Sequence, residues 1–209
     1  MPTPMFTAVD GPEQQDCGTC VFFPEDSVQD STTYSPVHAL SPPPPAFALA
    51  TFGGLRGSNL SLAVSHDNLR TWQTQGLLLT TRPGHWDDRT LSAGPCPVKL
   101  SDGNWLVLYN VDNKWPVDKP GPIPSYGRCA LGWAVLGTDI STGRPKVLAR
   151  ASEPLLWGNM PFDSHSYDSG PSIYTDGVRA MGNDTFIVYA GGADQVVEAV
   201  RIQVTKTLQ

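Results

Sequence analysis

The sequence predicts an all-β chain folded as a β-propeller, and three observations predict it. Twenty Gly and twenty Pro in 209 residues punctuate nearly every window long enough for a helix, which leaves short strands between turns. Leu60–Ser65, Leu131–Leu136 and Val197–Ile202 repeat one strand pattern, and their central residues Ala63, Ala134 and Ala199 lie 71 and 65 positions apart. Gly103-Asn104 to Tyr109 and Gly182-Asn183 to Tyr189 repeat a second pattern of turn, apolar strand and tyrosine. A fixed period of this kind marks repeated sheets that bury their faces only against one another. A β-sandwich gives no reason for it.

Taken in order, residues 27–46 are rich in Ser, Thr and Pro and read as a linker-like insertion, with Pro42 to Pro45 as a stiff spacer. The strand around Ala63 is followed by Asp67 and then by the apolar Leu77-Leu78-Leu79. The strand around Ala134 is likewise followed by Asp139 and Val147-Leu148-Ala149, so both aspartates read as turn formers. Between these copies, Trp86 to Pro97 sets an acidic and basic cluster on a Gly-Pro turn. A tight hairpin at Ser101–Asn104 leads into the strand Trp105–Asn110, which ends in two polar side chains. A 209-residue chain holds about three periods of this length, whereas closed propellers use four to eight blades. The expectation is a single propeller domain over residues 1–209, incomplete at three to four blades. Its open sheet edges invite pairing with another chain.

A net charge of −6 and the lack of a basic stripe exclude nucleic acid as partner. No apolar run is long enough to span a membrane, and Met1 to Phe6 lacks the basic head and apolar core of a signal peptide. The chain reads as cytoplasmic as encoded, or secreted if its N-terminus is truncated. Cys17-Gly18-Thr19-Cys20 has redox spacing but no helix pattern after it, and Cys96 and Cys129 form no second metal-binding pair. The four cysteines read as free structural thiols. No metal and no organic cofactor is expected.

These residues resemble glycoside hydrolase family 130, five-bladed propellers that cleave or phosphorolyse β-mannosides. Ala63 to Trp72 is similar to the family's Ser-x-Asp-Leu-x-x-Trp turn, and Trp86 to Pro97 to its Gly-Pro-Pro-Pro segment. Leu108-Tyr109-Asn110 resembles its Tyr-His or Tyr-Asn strand end. Val147 to Leu156 resembles Arg-x-x-Glu-Pro-Leu-Leu, and Tyr189 to Asp194 resembles Tyr-Tyr-Gly-Ala-Ala-Asp. A middle blade of the family is missing between Leu79 and Arg82. Asp16-Cys17-Gly18-Thr19 is similar to the opening before the family's Glu-Asp-Pro-Arg acid motif, while Glu25-Asp26 is followed by Ser27-Val28.

The resemblance implies a glycoside hydrolase acting on β-mannosides or related oligosaccharides by inverting acid/base hydrolysis. Such cleavage needs a carboxylic acid on the leaving oxygen and a nucleophile on the opposite face. Asp26, or else Asp16, is the implied acid and Asp88 the implied base, with Asp87, Asp163 and Asp168 as other carboxylates in reach. Trp86, Asp87, Arg89, Tyr109, Asn110 and Asp194 are expected to hold the sugar, Trp86 and Trp115 by stacking. Phosphorolysis is disfavoured because the family's lysine and histidine fall at the uncharged Thr90 and Asn110. His85 and His165 read as solvated, and Trp72, Trp105 and Trp133 as blade core. The alternatives are a non-catalytic carbohydrate-binding or interaction remnant of the same fold, and a truncated product that does not fold alone.

Overall fold

The computed structural model describes residues 19–22, 45–52, 59–67, 70–112, 129–158, 160–165 and 172–205. Its regular structure is three antiparallel sheets. The first runs β1 (Thr19–Phe22), β2 (Ala46–Phe52), β3 (Asn59–Ser65), β4 (Gln73–Leu79) in that spatial order. The second is built from β5 (Thr90–Ala93), β6 (Val98–Lys99), β7 (Trp105–Asp112), β8 (Cys129–Thr138), β9 (Pro145–Arg150) and β10 (Leu156–Trp157). There β5 and β6 pair one side of β7, and β9 and β10 pair the far side of β8. The third runs β11 (Ile173–Gly182), β12 (Thr185–Gly192), β13 (Val196–Gln203). A short 3-10 turn at Pro161–His165 precedes it. The expected incomplete propeller is what the chain forms. The repeat seen in the sequence is structural, for β3, β8 and β13 are the third strands of their sheets and β7 and β12 the second.

Local chemistry accounts for the breaks. β5 and β6 are one inner strand interrupted by Gly94-Pro95-Cys96-Pro97, where neither proline offers an N–H to the ladder on β7. The β11–β12 hairpin turns on Asn183 and Asp184, both at positive φ (51° and 52°). Asn and Asp tolerate that region, as this two-residue turn requires. Asp67 accepts the amides of Arg70 and Thr71, and Asp139 those of Ser141 and Thr142, so both are the turn formers expected. These bonds hold both acids below the usual carboxylate range. The Thr71 hydroxyl acts most strongly on Asp67, bringing it to about 2, and the Ser141 hydroxyl on Asp139.

The sheets stack face to face through β7, whose side chains alternate between two cores. Val107, Tyr109 and Val111 pack with Phe47, Leu49, Leu60, Leu62 and Val64 of the first sheet. Leu106 and Leu108 pack with Phe186 and Val188 of the third. Both faces of β7 are therefore covered, which explains its near-continuous apolar run. Trp133 touches both cores. Gly132 on β8 allows the Trp86 and Tyr109 rings to settle, because a methyl there would stand 2.4 Å from Tyr109 and 2.6 Å from Trp86. Gly132→Ala is expected to cost about 1–3 kcal/mol through overpacking, read as a lower urea midpoint with unchanged slope.

Strand register also fixes a rim. Thr90 at the start of β5 pairs Asp112, which pairs Cys129, which bridges in parallel to Ser172 just before β11. The starts of β5 and β11 thus lie together. The Thr80 carbonyl, just past β4, accepts Arg150 Nη1 at the end of β9, and Leu79 pairs Leu60 beside Ser61, which pairs Ala50 opposite Thr19. The start of β1 therefore falls on the same side.

One reading changes. Cys96 is disulfide-bonded and not a free thiol, while Cys129 is not in a disulfide. The expected insertion at 27–46 lies outside the described residues save for Pro45 and Ala46, and Ala46 opens β2.

Candidate functional site

The turn between β4 and β5 carries Trp86-Asp87-Asp88-Arg89 onto this rim. Asp87 is fully buried, and its oxygens are shared by two guanidinium groups. Arg82 donates from Nε to Oδ1 at 2.8 Å and from Nη2 to Oδ2 at 2.8 Å, and Arg150 Nη2 donates to Oδ2 at 2.6 Å. The Tyr109 hydroxyl adds a bond at 3.2 Å. Arg82 also reaches the Ala151 carbonyl, so the cluster ties the β4–β5 connection to the end of β9. Arg150 lies 5.3 Å over the Tyr109 ring, and Tyr109 stacks on Trp86 at 6.0 Å. Burial pushes the Tyr109 hydroxyl up to about 12, so it stays a neutral donor.

Trp86, Asp87 and Tyr109, expected to hold the sugar, are enclosed by protein behind the rim. Asn110 is fully buried as well. Its side chain donates to the Thr175 carbonyl at 3.0 Å and accepts the Thr175 amide at 2.9 Å, copying a strand pairing between β7 and β11. Ser92 and Tyr174 hydroxyls bond nearby at 2.5 Å.

Asp88 and Arg89 remain half-buried at the surface of the rim. Desolvation raises the Asp88 carboxyl above its ordinary range, opposed by a bond from the Gly84 backbone and by Arg89. Asp194 is exposed on the β12–β13 turn at φ 59°, and this turn meets the start of β11 through Gly192 and Ile173. Asp163, from the 3-10 turn, is buried at the same end of the third sheet, where its carbonyl accepts Ser172 N–H. Arg89, Asp88 and Asp194 therefore share one rim, while Asn110 sits inside it. Asp16, Asp26, Trp115 and Asp168 lie outside the described residues. His85 is exposed.

Sequence reasoning gave no role to Arg82, Arg150 or Glu198. Arg150 stands inside the Arg-x-x-Glu-Pro-Leu-Leu segment, which was the available signal. Glu198 carried none, being one acid among the apolar residues of β13. Among the described residues, no three His, Cys, Asp or Glu side chains group as a metal site.

The chain is 28% identical over 131 residues to a 1,2-β-oligomannan phosphorylase from Thermoanaerobacter sp. (strain X514), covering 63% of this chain and 38% of that protein. Its fold matches a β-1,2-mannobiose phosphorylase from Listeria innocua solved with β-1,2-mannobiose. The TM-score is 0.57 at 25% identity over 76% of this chain and 40% of that one. A second match (TM-score 0.57, 20% identity, 78% of this chain and 44% of the other) comes from the GH130 family of mannoside phosphorylases containing glycoside hydrolases that target β-1,2 mannosidic linkages in Candida mannan. No family model matches. The chain spans about two fifths of the length of these relatives.

Proposed function

We propose that this chain, a relative of the family-130 mannoside-active propellers over its described sheets, supplies part of the sugar-binding rim of an enzyme that breaks β-1,2-linked mannosides. The observation that carries this reading is the single rim holding Asp88, Arg89 and Asp194, formed by a chain similar to proteins named for that chemistry. We assign Arg89 to sugar hydroxyls or to an anionic acceptor, and Asp194 to sugar hydroxyls. Asp87, with Arg82 and Arg150, holds the rim in place.

Asp16 is the better proton donor of the two aspartates considered. It precedes β1 by three positions, as Asp87 precedes β5, whereas Asp26 follows the far end of β1 by four.

Phosphate is the acceptor favoured by the named relatives. The uncharged Asn110 does not count against it, since that side chain is committed to Thr175. Water is the second reading, supported by uncharged Thr90 on the rim and by Asp88, whose raised proton affinity suits a base. Incubation with β-1,2-mannobiose with and without phosphate tests both. Phosphate-dependent mannose 1-phosphate is the expected product. Free mannose without phosphate would replace phosphorolysis by hydrolysis, and binding without turnover would leave a sugar-binding remnant. Neither binding nor turnover would sink the reading.

A further inference from the structure

Asp163 differs from the other carboxylates of the rim in what it lacks. It is fully buried, its Oδ2 accepts the Met160 amide at 2.8 Å, and its carbonyl accepts the Ser172 amide at 3.2 Å. Its Oδ1 meets no hydrogen-bond donor among the described residues, and the same holds for the buried Oε1 of Glu198 on β13. Both oxygens converge over Gly192. A methyl built there would lie 2.6 Å from Asp163 Oδ1 and 2.7 Å from Glu198 Oε1. Two ionised carboxylates in such a place repel each other, and neither can donate to the other. A single proton held between them satisfies both acceptors at once.

We infer that Asp163 and Glu198 share one proton and act as positioning residues, clamping the β12–β13 turn that carries Asp194 to the segment leading into β11. Losing that proton to solvent leaves two negative charges over Gly192 and frees the turn. Desolvation, followed by the Asp163 carboxyl, pushes Glu198 up to about 7. Among the described residues no other charged group acts on it: its strand partner Ala190 and the intervening Gly192 are uncharged. Asp194 faces solvent beyond them. A carboxyl that binds its proton more tightly folded than unfolded adds stability that is full below the ordinary carboxylate value of 4.5 and lost as pH rises through about 7. The clamp therefore closes in acid and opens above neutrality.

The clamp itself needs no ligand, while its effect on sugar binding rests on the rim assigned above. Carboxyl-carbon NMR titration of the full chain should find Glu198 with a midpoint near 7. Thermal melts should fall in midpoint as pH rises from about 4.5 to about 7 and level off above it. Glu198→Gln should abolish that fall, because its amide can donate to Asp163 Oδ1 at every pH. A Glu198 midpoint at its ordinary value, or the same fall in Glu198→Gln as in the parent chain, would overturn the inference. Adding β-1,2-mannobiose asks the separate question. Binding should weaken above neutral pH in the parent chain and not in Glu198→Gln, and a chain that never binds the sugar sinks the rim assignment while the titration still judges the clamp.

Discussion

Asp87→Ala is expected to lose about 3–5 kcal/mol of folding stability, the cost of leaving a buried charge without its partner. Two guanidinium groups converge on this one fully buried carboxylate, and Arg150 is itself only 12% exposed at its side chain. Removing the anion leaves both cations facing each other beneath Trp86 and Tyr109, with the Tyr109 hydroxyl unbonded on that side. Urea unfolding of the parent and variant measures the loss. Replacing all three charges by apolar residues of similar size should restore much of it, because the penalty comes from the orphaned charges more than from a missing attraction. A single variant within about 1 kcal/mol of the parent would show that the cluster is hydrated and not the dry hub described.

Phe186→Ala carries the second large effect, about 3–5 kcal/mol by truncation of a buried aromatic. Phe186 is 2% exposed and inserts from β12 between Leu106, Leu108 and Leu131 of the second sheet and Ile202 of its own. Its removal opens a cavity at the seam between sheets. Trp133 touches both cores, so its fluorescence should report loosening of that seam before the first core melts. An unchanged melt followed through Trp133 would mean that the third sheet does not depend on this contact.

Much of the architecture was legible because the repeat lives in local pattern. The alanine-centred strands are third strands of their sheets, and the Gly-Asn turns open second strands, as their spacing implied. The functional rim was legible as a segment but not as an arrangement. Asp87 and Asp88 are neighbours in sequence with opposite roles, and what separates them is Arg150, 63 residues downstream of Asp87. Asn110 reads as a ligand contact until its partner is known, and that partner is a backbone unit 65 residues later. Polarity at a strand end says that a side chain will bond. It does not say to what. The Asp163–Glu198 pair shows the same limit, since its two members meet through the turn over Gly192 and not through any spacing along the chain.

The way β7 and β8 lie between two neighbours sets an order in which the molecule should come apart. Asn110 with Thr175, and Ser92 with Tyr174, pin the third sheet to the second, while the Arg82–Asp87–Arg150 cluster pins the connection from the first. Among the described residues β13 pairs β12 alone, while both faces of β7 are covered. The middle sheet is the last to let go, and it carries Asp88 and Arg89 just ahead of its inner strand.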